Sequence, residues 1–220
     1  MYKRILKQLA CSVFTIGFVA NTFAMGSGLY IGLMAGPATN GASNQQAQVL
    51  GPATTPPTTT LATPKSQQFG SRLMMGYMVS EYVGMEGGLT YFSSIDYDTG
   101  DVQTCSSTNA RVRDFEFMGK GVFPFRQMSV YGKAGVAIAY QATSGAFNPD
   151  SKDVCGKSSY ITKYVPAYSA GVGYDLTQNW VVDLSANTVS VGGKIGSMTT
   201  YALGIAYHFV DVYCGQFLCS

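Results

Sequence analysis

The chain has 220 residues, 12% of them charged and 46% apolar, with 14 Lys and Arg against 12 Asp and Glu. That balance excludes a disordered chain and a strongly basic nucleic-acid-binding surface, and the length fits one domain once an export segment is set aside. Twenty-six glycines, 15 tyrosines and 12 phenylalanines are a combination that helices avoid and curved sheets use, so the composition leans all-β.

Residues 1–24 read as a cleaved signal peptide. Lys3, Arg4 and Lys7 form a basic start, residues 9–20 are apolar, and Thr22 and Ala24 flank Phe23 in the small-residue pattern of a cleavage site after Ala24. The apolar stretch is shorter than the ~20 residues a spanning helix needs. Cys11 follows Gln8-Leu9-Ala10, which is not a lipoprotein signal, and leaves with the leader. Without the three leader cations the mature chain has 11 basic and 12 acidic residues, and it keeps four cysteines in an oxidising compartment.

From Gly28 onward, runs of about ten residues alternate apolar with small or polar, which is the period of a strand. Eight such segments fall at 28–36, 68–79, 83–92, 113–123, 128–141, 164–174, 180–188 and 198–209. Three connections are short (Ser80–Tyr82, Pro124–Gln127 and Asp175–Asn179). The other four are longer (37–67, 93–112, 142–163 and 189–197). Short turns on one side and long loops on the other are the pattern of an up-and-down barrel, with both chain ends in the periplasm. The 37–67 loop contains PATTPPTTTLATPKSQQ, a Pro/Thr run expected to lack ordered structure.

The chemistry of the two faces decides the class. Leu73, Met75, Tyr77 and Val79 oppose Gly70, Arg72, Met74, Gly76 and Met78; Tyr201, Leu203, Ile205, Tyr207 and Phe209 oppose Ala202, Gly204, Ala206 and His208. The less greasy face carries mostly glycine, alanine and charge, too little apolar volume for a water-soluble barrel core. The bulky face therefore points outward, where only lipid tolerates it. A secreted β-sandwich would bury that face but does not explain the alternating connections. Tyr77, Phe123, Tyr174, Trp180, Tyr207 and Phe209 would form an aromatic girdle at the short-turn end. The fold expected is an eight-stranded antiparallel transmembrane β-barrel over 25–209, followed by a short periplasmic tail, 210–220. A charge at lipid-facing Val136 or Leu203 is expected to cost more than one at luminal Ala137.

Parity turns six charges inward: Arg72, Glu86, Glu116, Lys120, Lys133 and Asp183. Glu86 with Lys120 is the expected direct salt bridge, with Lys133–Asp183 and Arg72–Glu116 closing across the lumen. Strand counting puts Cys105 and Cys155 in loops outside and Cys214 and Cys219 in the periplasm. The expected disulfides are therefore Cys105–Cys155 and Cys214–Cys219.

Several of these segments resemble the OmpA-like transmembrane domain and its small opacity-type relatives among surface antigens. The resemblance is carried by GSGLYIGLMAG, GSRLMMGYMVSEYVGMEGGLTYFSS, FMGKGVFPF, SVYGKAGVAIAY, YSAGVGYDLTQNWVVDLS and ALGIAYHF. It implies an eight-stranded barrel inserted by the outer-membrane assembly machinery, with Tyr207-His208-Phe209 resembling its strand-end signal. The family's inward Glu on strand three and inward Lys on strand four also support the Glu86–Lys120 pair, while Asp183 stands where relatives often have a basic residue. The sequence departs from the pattern in the eleven residues VDVYCGQFLCS after Phe209 and in lacking a peptidoglycan-binding domain after the barrel, so wall tethering is not expected.

The function expected is structural and surface-displaying in the outer membrane: envelope integrity, or loop-mediated adhesion as a surface antigen. A small-conductance channel is the first alternative, because eight strands leave little room for an aqueous pore. A lipid A-modifying barrel enzyme is the second. It would need a histidine with a serine and a carboxylate at the outer side, whereas the single histidine, His208, lies near the periplasmic end. Neither catalysis, nor a cofactor, nor a metal site is expected. The partners expected are outer-membrane lipids and lipopolysaccharide, the assembly machinery and host or surface ligands of the loops, with no nucleic acid.

Overall fold

The structure, a computed structural model, describes residues 27–48, 59–98, 109–144, 159–193 and 195–209. Within them lie eleven strands: β1 Gly28–Asn40, β2 Gln45–Gln48, β3 Thr59–Pro64, β4 Gln67–Met78, β5 Val83–Phe92, β6 Ile95–Asp98, β7 Asn109–Phe125, β8 Met128–Ser144, β9 Ser159–Asp175, β10 Trp180–Gly192 and β11 Gly196–His208. Eight of them close a ring in the order β1-β4-β5-β7-β8-β9-β10-β11, every neighbour antiparallel, and β1 seals it against β11 from Tyr30↔His208 to Asn40↔Met198. Closure removes the open edges that a bilayer could not satisfy with hydrogen bonds.

Alternation produces the ring. Along β4 every even residue is buried and every odd one exposed, and β7 keeps the same rule from Ala110 to Phe123. Leu33, Leu73, Phe117, Val136, Leu184 and Leu203 are all exposed on the outside, an apolar surface suited to hydrocarbon and not to water. The β7–β8 connection is tighter than the four-residue turn read from sequence: Phe125 pairs with Met128, leaving Arg126 and Gln127 as a two-residue loop. Arg126 takes a φ of 56°, the left-handed conformation that the twist of such hairpins demands.

Two features differ from the sequence expectation. First, β7, β8 and β9 each run 17 residues, roughly 56 Å of strand at ~3.3 Å per residue, against the 9–11 residues that cross a bilayer. Their continuous register raises one wall well beyond the lipid band. Second, the 37–67 segment, read as structureless from composition, contains β2 and β3. These join β6 to extend the sheet from the edge of β7. β5 pairs with β7 only as far as Tyr91↔Arg113, so the N–H and C=O groups of 109–112 would face solvent on that side. Residues 95–96 cover part of this edge, and β3 extends it through the pairings Thr63↔Asp98 and Pro64↔Tyr97.

The interior is also richer in apolar side chains than the alternation read within the eight segments indicated. The long-loop half holds Phe92, Ile95, Val112, Val165, Val191, Ile195 and Met198 in one buried cluster with Ala137 and Ala139. Ile95, Val112, Val191 and Ile195 come from stretches read as connections, which is why their contribution was missed. At the short-turn end Tyr30, Met78, Val122 and Tyr131 form a second cluster.

Candidate functional site

Between the two apolar clusters lies a belt of charge, built from strands whose small residues make room for long side chains. A Cβ on Gly88 would sit 2.8 Å from the Arg72 guanidinium, and one on Gly76 would collide with the Tyr30 ring, so both glycines are required by what crosses in front of them. All six charges singled out from sequence are buried, with relative exposures between 0% and 5%.

Glu86 is the hub. Its carboxylate accepts from Lys133 Nζ at 2.7 and 2.8 Å, from Arg72 Nη2 at 3.1 Å and from the Tyr30 hydroxyl at 2.6 Å. Arg72 continues to Glu116 at 2.7 Å, and Glu116 also accepts from Asn187 Nδ2 at 2.7 Å. The belt thus runs from β8 through β5 and β4 to β7 and β10, bridging the lumen. Ionised groups withdrawn from water persist only when paired and hydrogen-bonded in this way.

The structure brings Arg72 and Glu116 together but rewires the other two expected pairs. Glu86 is bridged by Lys133 and Arg72, and Lys120 makes no ion pair with it. The reason is register: Lys120 lies directly opposite Lys133, and Glu86 is opposite Met118. Glu86 is already occupied by Lys133, Arg72 and the Tyr30 hydroxyl. Lys120 instead sits between the faces of Tyr30 and Tyr131, 4.6 and 4.7 Å from the ring centroids, where the π-electron density partly replaces an anion. Asp183 does not pair with Lys133; it accepts the hydroxyl hydrogen of Tyr131.

Several contributors were not singled out from sequence. Asp114 is buried beside Glu116 and Thr90, and its even number, two before Glu116, was the available signal. Tyr30 and Tyr131 also have inward parity, but nothing in the sequence announces that they carry the cations. His208 is buried and stacks on Tyr30, with centroids 4.9 Å apart and planes at 14°. At the strand end, Tyr207 meets Trp180 and Phe209 edge-on, each at 5.0 Å, and Phe209 N donates to Leu29 O across the closing seam. The leader at 1–24, the tail at 210–220 and Cys105, Cys155, Cys214 and Cys219 lie outside the described residues.

A closed barrel with an apolar exterior and a charged, crowded interior matches a known family. The description "Outer membrane protein beta-barrel domain" fits residues 10–209. The chain belongs to this family. It is 28% identical over 175 residues to an uncharacterized protein of Coxiella burnetii, covering 67% of this chain and 71% of that one. It is 27% identical over 154 residues to outer membrane protein A of Serratia marcescens, covering 64% of this chain and 40% of that protein. Against the latter it spans well under half the length. The crystal structure of Neisserial surface protein A shares the fold with a TM-score of 0.57 at 17% identity, over 83% of this chain and 98% of that one. This outer-membrane β-barrel protein is therefore integral to the outer membrane.

Proposed function

We propose that this family member is a sealed scaffold: a barrel that holds loops and a raised strand wall at the cell surface without conducting through its lumen. The observation that carries this reading is the belt centred on Glu86, roofed by the Phe92–Ile195–Met198 cluster and floored by Tyr30, Met78 and Tyr131. Water and ions would have to part a paired charge layer and two apolar layers. In this reading the long connections face outward and both chain ends face the periplasm. Tyr207 and Phe209 present the strand end to the assembly machinery, and recognition of host or surface ligands belongs to the loops, where a rigid frame can hold variable chemistry. Envelope integrity is the companion role. A non-enzymatic reading is supported by His208, whose ring is buried and stacked on Tyr30 and, among the described residues, has no serine and carboxylate paired with it.

Two experiments test it. In planar bilayers the unmutated protein is expected to give no stable conductance, whereas Lys133→Ala, which strips Glu86 of its shortest ion pair, admits small irregular currents; large, steady, ion-selective openings of the unmutated protein would revive the channel reading. Trimming 99–108 and 145–158 is expected to weaken adhesion of whole cells while the barrel keeps its heat-modifiable gel band. If adhesion is untouched and only deletion of the whole gene makes the envelope leak, the role is structural and not adhesive.

A further inference from the structure

The outer wall carries its own signal. On the eight barrel strands, the outward-facing described residues are apolar, aromatic, small or uncharged polar with two exceptions, Arg111 and Arg113, both exposed on β7. Neither pairs with a carboxylate among the described residues. They stand at a defined depth. Phe115 to Phe125 supplies the 9–11 residues with which a tilted strand crosses hydrocarbon, so Arg113 is the first outward position beyond the lipid band and Arg111 the second.

Their surroundings are built for an amphiphile. Arg113 lies opposite Tyr91 on one side and Tyr140 on the other, with its guanidinium 5.4 Å from the Tyr91 centroid. A cleft of about 330 Å³ opens beside the pair, lined by Arg111, Arg113, Tyr140, Ala142, Tyr160 and Thr162 among others. Directly below, Phe115, Phe117 and Val136 present the exposed apolar wall. Guanidinium groups fork onto phosphate oxygens, and a pair at the hydrocarbon boundary suits a molecule with phosphates at that depth and acyl chains beneath them.

We propose that Arg111 and Arg113 form an exterior docking site for the phosphorylated headgroup of lipid A, whose acyl chains lie along Phe115, Phe117 and Val136. The site would hold the barrel in register with the outer leaflet and brace the raised β7–β9 wall. Its placement in that leaflet rests on the orientation proposed above.

The test uses the purified full-length chain in neutral detergent micelles, with labelled diphosphoryl lipid A as the probe. Saturable binding is expected, weakened roughly tenfold or more by the double replacement Arg111→Ala with Arg113→Ala and restored only in part by lysine at both positions, which returns the charge without the fork. Dephosphorylated lipid A should bind as weakly as the double variant allows, while phosphatidylglycerol and millimolar inorganic phosphate should not displace the probe. An intact heat-modifiable band shows that each variant has folded. Undiminished binding by the double alanine variant, or equal binding of the dephosphorylated lipid, overturns the site. Displacement by phosphatidylglycerol reduces it to general attraction for anionic lipid, and displacement by phosphate reduces it to an anion site; either overturns the assignment to lipid A. Micelles impose no orientation, so this outcome is independent of whole-cell proteolysis of the loops, which tests the orientation alone.

Discussion

Replacing Glu86 with alanine is expected to destabilise the folded barrel by about 3–5 kcal/mol, because it leaves buried cations without their common anion. Arg72 would retain Glu116, but Lys133 would lose its ion pair and keep the face of Tyr131 at 4.6 Å, with Lys120 opposite it on the neighbouring strand. The Tyr30 hydroxyl would lose its acceptor as well. Urea unfolding in lipid vesicles, followed by tryptophan fluorescence, measures the loss. Removing Lys133 along with Glu86 should return part of it, since a cation with no counter-charge then disappears, and the double-mutant cycle isolates the pair. Lys120→Ala should cost less, about 1 kcal/mol, because only ring and hydroxyl contacts hold that ammonium. If Lys120→Ala proved as damaging as Glu86→Ala while Lys133→Ala did not, the Glu86–Lys120 bridge expected from sequence would be the true one.

That contrast shows what a sequence of this kind exposes. Period-two alternation revealed the ring and its lipid face because a membrane barrel has only two environments, and each residue's parity selects one. Parity also turned Arg72, Glu86, Glu116, Lys120, Lys133 and Asp183 inward. Pairing depends on something parity does not contain, namely the stagger between neighbouring strands: Glu86 faces Met118, two residues from Lys120, and the shift passes its carboxylate to Lys133 on β8. Composition misled at 37–67, where a Pro/Thr run was judged by its inability to build a core. It has no need to build one, because β3 attaches to β6, which is itself held by the exposed edge of β7. The same attachment brings Ile95 into the interior, so an apolar roof was hidden in what reads as a loop.

Placing arginine at Leu203 is expected to cost roughly 2–4 kcal/mol, the depth-dependent penalty for a guanidinium near the bilayer midplane. Leu203 points outward on β11 and pairs with Ala35 on β1 and Leu184 on β10, both also on the outer face, so no polar group lies beside it to receive the charge. Arginine at Thr39, four residues farther along β1 toward the long-loop end, should cost only about 0–1 kcal/mol, because there the side chain reaches headgroups and water. Ala137, which its inward parity made the cheaper site for a charge, does not serve as the reference. It has no exposure and packs within the apolar roof, where a lysine would both overfill the space and bury an unpaired charge. The comparison must therefore stay on one face and vary only depth. In urea titrations of vesicle-embedded protein, a large loss at Leu203 with a small one at Thr39 is what a hydrocarbon slab against the outer wall requires. Equal, small losses at both would mean that water, not lipid, covers that wall, and the alternation would need a different explanation.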